Sequence, residues 1–162
     1  MCVKAVRIRR ELAVVEFLFM LETVSHLLAK LALWTRTLWI EINRRLITMA
    51  VSVVYRPGCL KIEEFTKVLS LILDNTDLDK VETIILGDFN VDYSAKQNPL
   101  RRRMDEFAFL FNLTQINSKP TSVTETSKSI IDLILVNNSH KIVQCDVLNL
   151  TISGHNVIYY FH

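Results

Sequence analysis

Val81-Glu82-Thr83-Ile84-Ile85-Leu86-Gly87-Asp88-Phe89-Asn90 is the stretch on which the reading of this chain turns. Val81 to Leu86 is a short apolar run closed by glycine, the pattern of a strand. It delivers a carboxylate, Asp88, and two positions on a carboxamide, Asn90. Strand alternation predicts that these two project to one side and Phe89 to the other. Gly87 lets backbone or substrate approach closely. An acceptor beside a donor is what holding an attacking water near a phosphate requires. The same four residues also suit an Asx turn that ends a strand, and the local sequence leaves both readings open.

Outward from this stretch, strands and helices mix. Leu38 to Ile42 alternates like a strand, Asn43-Arg44-Arg45 can turn, and Leu46 to Tyr55 is a second, β-branched strand broken by Arg56-Pro57-Gly58. Ile62, Phe65, Leu69 and Ile72 fall on one helical face, with Glu63 and Glu64 in the first turn. Asn98-Pro99 reads as N-cap and first position of a second helix, with Leu100, Met104, Phe107 and Phe111 as its buried stripe. Lys119-Pro120-Thr121 opens a polar loop running through Ser129, and Ile130–Val136, Ile142–Ile152 and Val157–Phe161 read as three last strands. Strict βα alternation is missing, so a wholly parallel doubly wound sheet fits poorly. Stacked sheets with flanking helices fit better.

Composition bounds the function. The 162 residues make one domain, half of them apolar and 22% charged, with mean hydropathy +0.25. A disordered tail is excluded, and 3 glycines exclude Gly-rich linkers. The net charge of +2 implies no nucleic-acid or membrane partner through composition alone, although it divides into +3 over residues 1–37 and −1 over 38–162. Three scattered cysteines, Cys2, Cys59 and Cys145, without C-x-x-C spacing point to reduced thiols and an intracellular setting, not to a disulfide framework or a zinc knuckle. Without a secretion signal, the sequons at Asn112, Asn137 and Asn149 are read as chance matches. Leu12 to Trp34 is apolar, but Glu16, Glu22, His26 and Lys30 interrupt it. Each charge at a bilayer centre costs roughly 2.5–3.5 kcal/mol, so a long helix against a partner surface is expected over a membrane span.

Two more positions carry chemistry. Asp132 sits in Ser129-Ile130-Ile131-Asp132-Leu133-Ile134. An acid flanked by apolar strand residues is at least half-buried and wants a partner. His155, in Ser153-Gly154-His155, could be that partner, since an Asp–imidazole hydrogen bond fixes the tautomer and raises basicity. A lone histidine before a terminal strand is also an ordinary loop residue. Tyr55 and Thr121 offer hydroxyls to a phosphate. Arg101-Arg102-Arg103 could touch DNA phosphates, but consecutive helical residues point different ways, which favours a solvated face.

In order, Val53-Val54-Tyr55-Arg56-Pro57, Ile85 to Asp92, Leu113-Thr114-Gln115 with Lys119-Pro120-Thr121, Ser129 to Ile134, and Ser153-Gly154-His155 resemble one family. It is the endonuclease/exonuclease/phosphatase superfamily, in the form of the endonuclease domains that precede the reverse transcriptase in non-LTR retrotransposons. The resemblance covers residues 38–162 and matches the family's C-terminal half; the apolar helical segment 1–37 lies outside it. It implies an α/β (α+β) fold, a partial four-layer sandwich of the DNase I type with an extra N-terminal helix. It implies Mg2+-dependent hydrolysis of a phosphodiester, with DNA as partner. Carried over by position, Asp88 orients or deprotonates the attacking water, Asn90 bonds the scissile phosphate, and His155, held by Asp132, binds phosphate or assists proton transfer. Tyr55 contacts the phosphate or the developing charge, Thr121 helps shape the same substrate pocket, and the metal ligands are unknown, with Asp88 a candidate.

Two departures matter. Gly154 stands where the family pattern Ser-Asp-His has its carboxylate, and residues 1–37 show neither the early Asn nor the metal-binding Glu at a strand end. The resulting expectation is a truncated endonuclease-type domain from a retroelement, with weak or absent Mg2+ binding and impaired catalysis. The alternative is a non-catalytic interaction or membrane-associated protein built on the N-terminal helix.

Overall fold

A computed structural model describes residues 37–44, 47–148 and 155–161. Its strands are β1 (Leu38–Arg44), β2 (Ile47–Tyr55), β3 (Val81–Asp88), β4 (Thr114–Gln115), β5 (Ser122–Val123), β6 (Lys128–Ser129), β7 (Asp132–Val136), β8 (Gln144–Leu148) and β9 (Val157–Phe161). The helices are α1 (Ile62–Leu73) and α2 (Pro99–Leu110), with a 3-10 turn at Ser139–Lys141.

The central sheet has the order β1-β2-β3-β7-β4. β2 and β3 are parallel, joined across α1, and the other pairs are antiparallel. The sheet is therefore mixed, as the irregular alternation of elements predicts. Both helices cover one face. Phe65, Leu69 and Leu73 of α1 and Met104 and Phe107 of α2 are buried against Ala50, Val54, Ile85, Leu133 and Leu135. Phe65 meets Phe89 edge-on at 5.5 Å between centroids. α2 starts where expected, with Asn98 Oδ1 accepting from the Leu100 N–H at 2.9 Å and Pro99 in its first turn.

The opposite face carries Ile84, Leu86, Ile134 and Val136, against which Ile142, Cys145, Ile158 and Tyr160 pack. These bring in the antiparallel pair β8–β9. Helices, mixed sheet and second sheet stack in that order among the described residues, consistent with a partial sandwich.

Several local expectations are revised. Leu100 is 37% exposed, so it leaves the buried stripe of α2, which begins at Met104. The polar loop after Thr121 contains the short hairpin β5–β6, and Thr114–Gln115 joins the central sheet; two-residue strands carry no periodicity to read. Ile130 and Ile131 precede β7 rather than begin it. Of the strand expected over 142–152, Gln144–Leu148 forms β8, and residues 149–152 lie outside the described residues. Leu46, Ser153, Gly154 and the N-terminal segment through Arg36 also lie outside them. No helix among the described residues is long and apolar enough to cross a membrane.

Gly87 is the tightest point of the central sheet. Its φ is +144°, and a Cβ there would stand 1.9 Å from the Val54 carbonyl oxygen of the neighbouring strand. Backbone cannot yield to such a clash as a flexible side chain can. Gly87→Ala is expected to destabilise the fold by on the order of 3 kcal/mol in urea denaturation. An unchanged midpoint would show that β2 and β3 do not approach this closely.

Candidate active site

β2 ends on Tyr55, β3 on Asp88, and β7 begins with Asp132, and these three residues pair across the sheet. Directly opposed residues share a face, so Tyr55, Asp88 and Asp132 form a row on the second-sheet side, at one end of the strands. His155 joins them through a bridge to Ser122 and the Asn156 N–H donated to the Thr121 carbonyl at 2.7 Å. Its Nδ1 lies 3.2 Å from Asp132 Oδ2. The side chain of Asp132 is 15% exposed and that of His155 47%, so the pair opens to solvent on the imidazole side.

Asn90 reaches the same place by a turn. The strand stops at Asp88, so pleat alternation does not carry through to residue 90. Instead Asn90 adopts φ +49° and donates its N–H to Asp88 Oδ1 at 2.9 Å. The Asx turn is present, and it, rather than pleat alternation, is what returns the carboxamide to Asp88. Asn90 Nδ2 donates to the Arg56 carbonyl at 2.8 Å and stands 3.4 Å from Asp88 Oδ2.

Thr121 is fully buried, and its Oγ1 accepts from the N–H groups of Ile131 (3.1 Å) and Asp132 (3.0 Å). A hydroxyl offered directly to a phosphate does not fit this burial. Thr121 acts on the main chain of Asp132. Tyr55, by contrast, is 39% exposed at the end of the row. Arg102 and Arg103 are well exposed and lie beside Glu106, while Arg101 stacks on Tyr93, 5.0 Å from the ring centre.

Three positioning groups escape sequence reasoning. Asn117, buried, donates Nδ2 to the Asp132 carbonyl at 3.1 Å and accepts the Lys119 N–H. Asp92 Oδ1 accepts from Ser94 N–H (2.9 Å), Ser94 Oγ (2.6 Å) and Ile130 N–H (3.2 Å), tying the loop after β3 to the approach of β7. Arg56, 3% exposed, donates Nε to the Phe89 carbonyl at 2.6 Å and Nη2 to the Asn90 carbonyl at 2.7 Å. Nothing local in Tyr55-Arg56-Pro57 signals a buried guanidinium; the only cue is its place in an ordered motif.

The two aspartates of this loop sit in opposite fields. Burial pushes the Asp88 carboxyl up, and the Asp132 charge adds to it; the Asn90 N–H, His155 and Arg56 offset these only in part. For Asp92, burial acts upward as well, but the hydrogen bonds from Ser94 and Ile130 prevail and hold its carboxyl below the usual range.

Asp88, Asp132 and His155 each offer a ligand atom, all within 4.8 Å of one another. Two carboxylates and an imidazole suit a divalent cation completed by water and phosphate oxygens. The under-compensated charge of Asp88 argues for the same fit. Asp132 Oδ2 and His155 Nδ1 already face each other, which leaves Asp88 as the readiest ligand.

These environments predict measurable effects. Because the folded chain binds the Asp88 proton more tightly than the unfolded chain, this group costs no stability below its unfolded pKa of about 3.9 and destabilises the fold as pH rises past it. Asp88→Asn is therefore expected to raise the Tm at pH 7, with the gain fading as the pH is lowered to about 3.5, in a calorimetric pH series. A lower Tm at pH 7 would contradict it. Thr121→Val strands two buried N–H groups and is expected to cost about 2 kcal/mol, with Thr121→Ser losing roughly half as much; equal losses would assign the effect to packing.

The family described as "Endonuclease-reverse transcriptase" matches residues 49–159. Among solved structures, the endonuclease domain of TRAS1, a telomere-specific non-LTR retrotransposon, superposes with TM-score 0.68 at 17% identity over 76% of this chain and 60% of that one. An endonuclease/exonuclease/phosphatase family protein from Leptotrichia buccalis C-1013-b does so with TM-score 0.59 at 20% identity over 77% and 52%. At such identities the likeness is one of fold, and the chain spans only 60% and 52% of those two structures. No curated protein matches the sequence. With the family match running from β2 to β9 and the fold shared, this chain belongs to the endonuclease-reverse transcriptase family of the endonuclease/exonuclease/phosphatase superfamily.

Proposed function

We propose that residues 38–162 form the proton- and phosphate-handling part of a metal-assisted phosphodiesterase that acts on DNA in a retroelement, and that the 162-residue chain by itself is a weak catalyst. The observation that carries the reading is the approach of Asp88, Asn90, Asp132 and His155 from three separate segments to one end of the sheets.

Asp88 orients the attacking water and accepts its proton, a task suited to a carboxylate whose basicity burial has raised. Asn90 presents to a phosphate oxygen the amide N–H that otherwise makes the long, 3.4 Å contact with Asp88 Oδ2. The imidazole of His155, oriented by Asp132, donates a hydrogen bond to the phosphate or passes a proton to the leaving oxygen. Tyr55 borders the same opening. Asp88, with Asp132 and His155 in reach, would hold the divalent cation, Mg2+ by family resemblance, which when bound neutralises phosphate charge and is worth several kcal/mol in the transition state.

The weakness follows from the carboxylates. The family pattern has an early Glu and the Asp of Ser-Asp-His, and this sequence supplies neither in that setting, with Gly154 in the second position. Mg2+ is typically bound through one or two carboxylates besides water and phosphate oxygens; of the two in reach, Asp132 faces His155, so Asp88 is asked both to ligate and to take a proton.

Plasmid nicking with Mg2+, against EDTA, is the direct test. The chain is expected to give at most trace, EDTA-sensitive nicking, raised only weakly by Gly154→Asp and lost in Asp88→Ala and His155→Ala. Robust EDTA-sensitive nicking by the unmodified chain would overturn the proposed impairment. Nicking undiminished by Asp88→Ala would overturn the site.

A further inference from the structure

We infer that Arg56 is a positioning residue whose guanidinium holds the Asp88–Asn90 turn so that the Asn90 carboxamide stands beside the Asp88 carboxylate. Its purpose rests on the phosphodiesterase reading above; its geometry does not.

Arg56 engages three successive residues. Its N–H donates to the Asp88 carbonyl at 2.9 Å, its Nε to Phe89 and its Nη2 to Asn90, while Nη1 reaches the Leu60 carbonyl. The Arg56 carbonyl in turn accepts from Asn90 Nδ2 at 2.8 Å. The side chain thus fixes the main chain of the turn, and the main chain of Arg56 fixes the side chain of Asn90.

Asn90 sits at φ +49°, a region that asparagine enters more readily than most side chains. The backbone angle alone does not fix where the carboxamide points, and the contacts with Arg56 do. The latch also decides which way the carboxamide faces. Nδ2 is turned to two oxygens, that of Arg56 and Asp88 Oδ2, where the amide oxygen would meet only acceptors. One N–H is used on Arg56, and the other stays on the Asp88 side, where an attacked phosphate would lie.

A planar fork is required. The acceptors on Phe89, Asn90 and Leu60 surround the guanidinium edge, and a single ammonium cannot meet three carbonyls spread around a plane. Burial works against ionisation of Arg56, and the Asp88 carboxylate is the main opposing influence; the contacts that place the guanidinium are the carbonyls of Leu60, Phe89 and Asn90.

NMR on the whole chain tests this. In the wild type the Arg56 Nε–H is expected to exchange slowly with water, and the two Asn90 side-chain amide protons to be well separated. In Arg56→Lys the Asn90 pair should collapse toward free-amide positions while the spectrum stays dispersed, and affinity for the dinucleotide TpT should fall about tenfold. In an Asn90→Ala background, Arg56→Lys should weaken TpT binding no further. A merely structural role would lower the Tm and leave the Asn90 signals and TpT affinity of the folded variant unchanged, which overturns the inference. Should Arg56→Lys fail to fold, the wild-type exchange rate decides, and fast exchange overturns it. If the wild type ignores TpT but the Arg56 and Asn90 signals behave as expected, the positioning role stands and the phosphodiesterase reading falls.

Discussion

The register that sets Tyr55, Asp88 and Asp132 side by side is the constraint from which the rest of the site follows. β2 and β3 meet in parallel and β3 and β7 in antiparallel register, so a carboxylate from the end of one strand faces a carboxylate from the start of another. A one-residue slip would turn Asp88 toward the helices and Phe89 out of the core where it packs on Phe65. Gly87 holds this register from below, because only a residue without Cβ tolerates the Val54 carbonyl against it. Phe89 holds it from above, fully buried between the acid and the carboxamide.

Around that row, the fold uses hydrogen bonds to main chain to hold charged side chains in place. Thr121 and Asn117 grip Asp132 through its N–H and its carbonyl, and leave its carboxylate to His155. Asp92 shows the alternative fate of an aspartate in the same loop. Three donors satisfy a single oxygen of Asp92, so it is a brace with its charge well compensated. Asp88 has fewer compensating donors and a like charge beside it, so it remains the more basic group. Residue type does not separate the two; their surroundings do.

Much of this was legible in the sequence where periodicity or a cap signals structure. The 3.6-residue spacing of Ile62, Phe65 and Leu69 and the Asn98-Pro99 cap marked the helices, and β-branched runs marked β2, β3, β7 and β9. The ordered motifs pointed to the family and to Asp88, Asn90, Asp132 and His155 as one group. What stayed hidden depends on contacts across the chain. Arg56 reads as a turn residue before Pro57, and its burial follows only from where the loop after β3 passes. Thr121 reads as a pocket hydroxyl, and its real neighbours are N–H groups ten and eleven residues on. Leu100 matches the apolar stripe by spacing, yet spacing places a residue on a helix face without showing how far along the helix that face is covered.

The central claim is that Asp88, Asn90, Asp132 and His155 form one cation- and phosphate-facing constellation, although the chain carries acidic groups elsewhere. On α1 and α2, Glu63 and Glu106 stand near Arg103 on the opposite, helical side of the central sheet. Titration with Mn2+, a paramagnetic stand-in for Mg2+, separates the two locations through NMR line broadening. At the lowest Mn2+ concentrations the account predicts selective broadening of the His155 ring, the Asn90 amides and the Asp88 and Asp132 backbone signals, removed by Asp88→Ala. Broadening that begins at Glu63 and Glu106, or that reaches all acidic residues together, would contradict it.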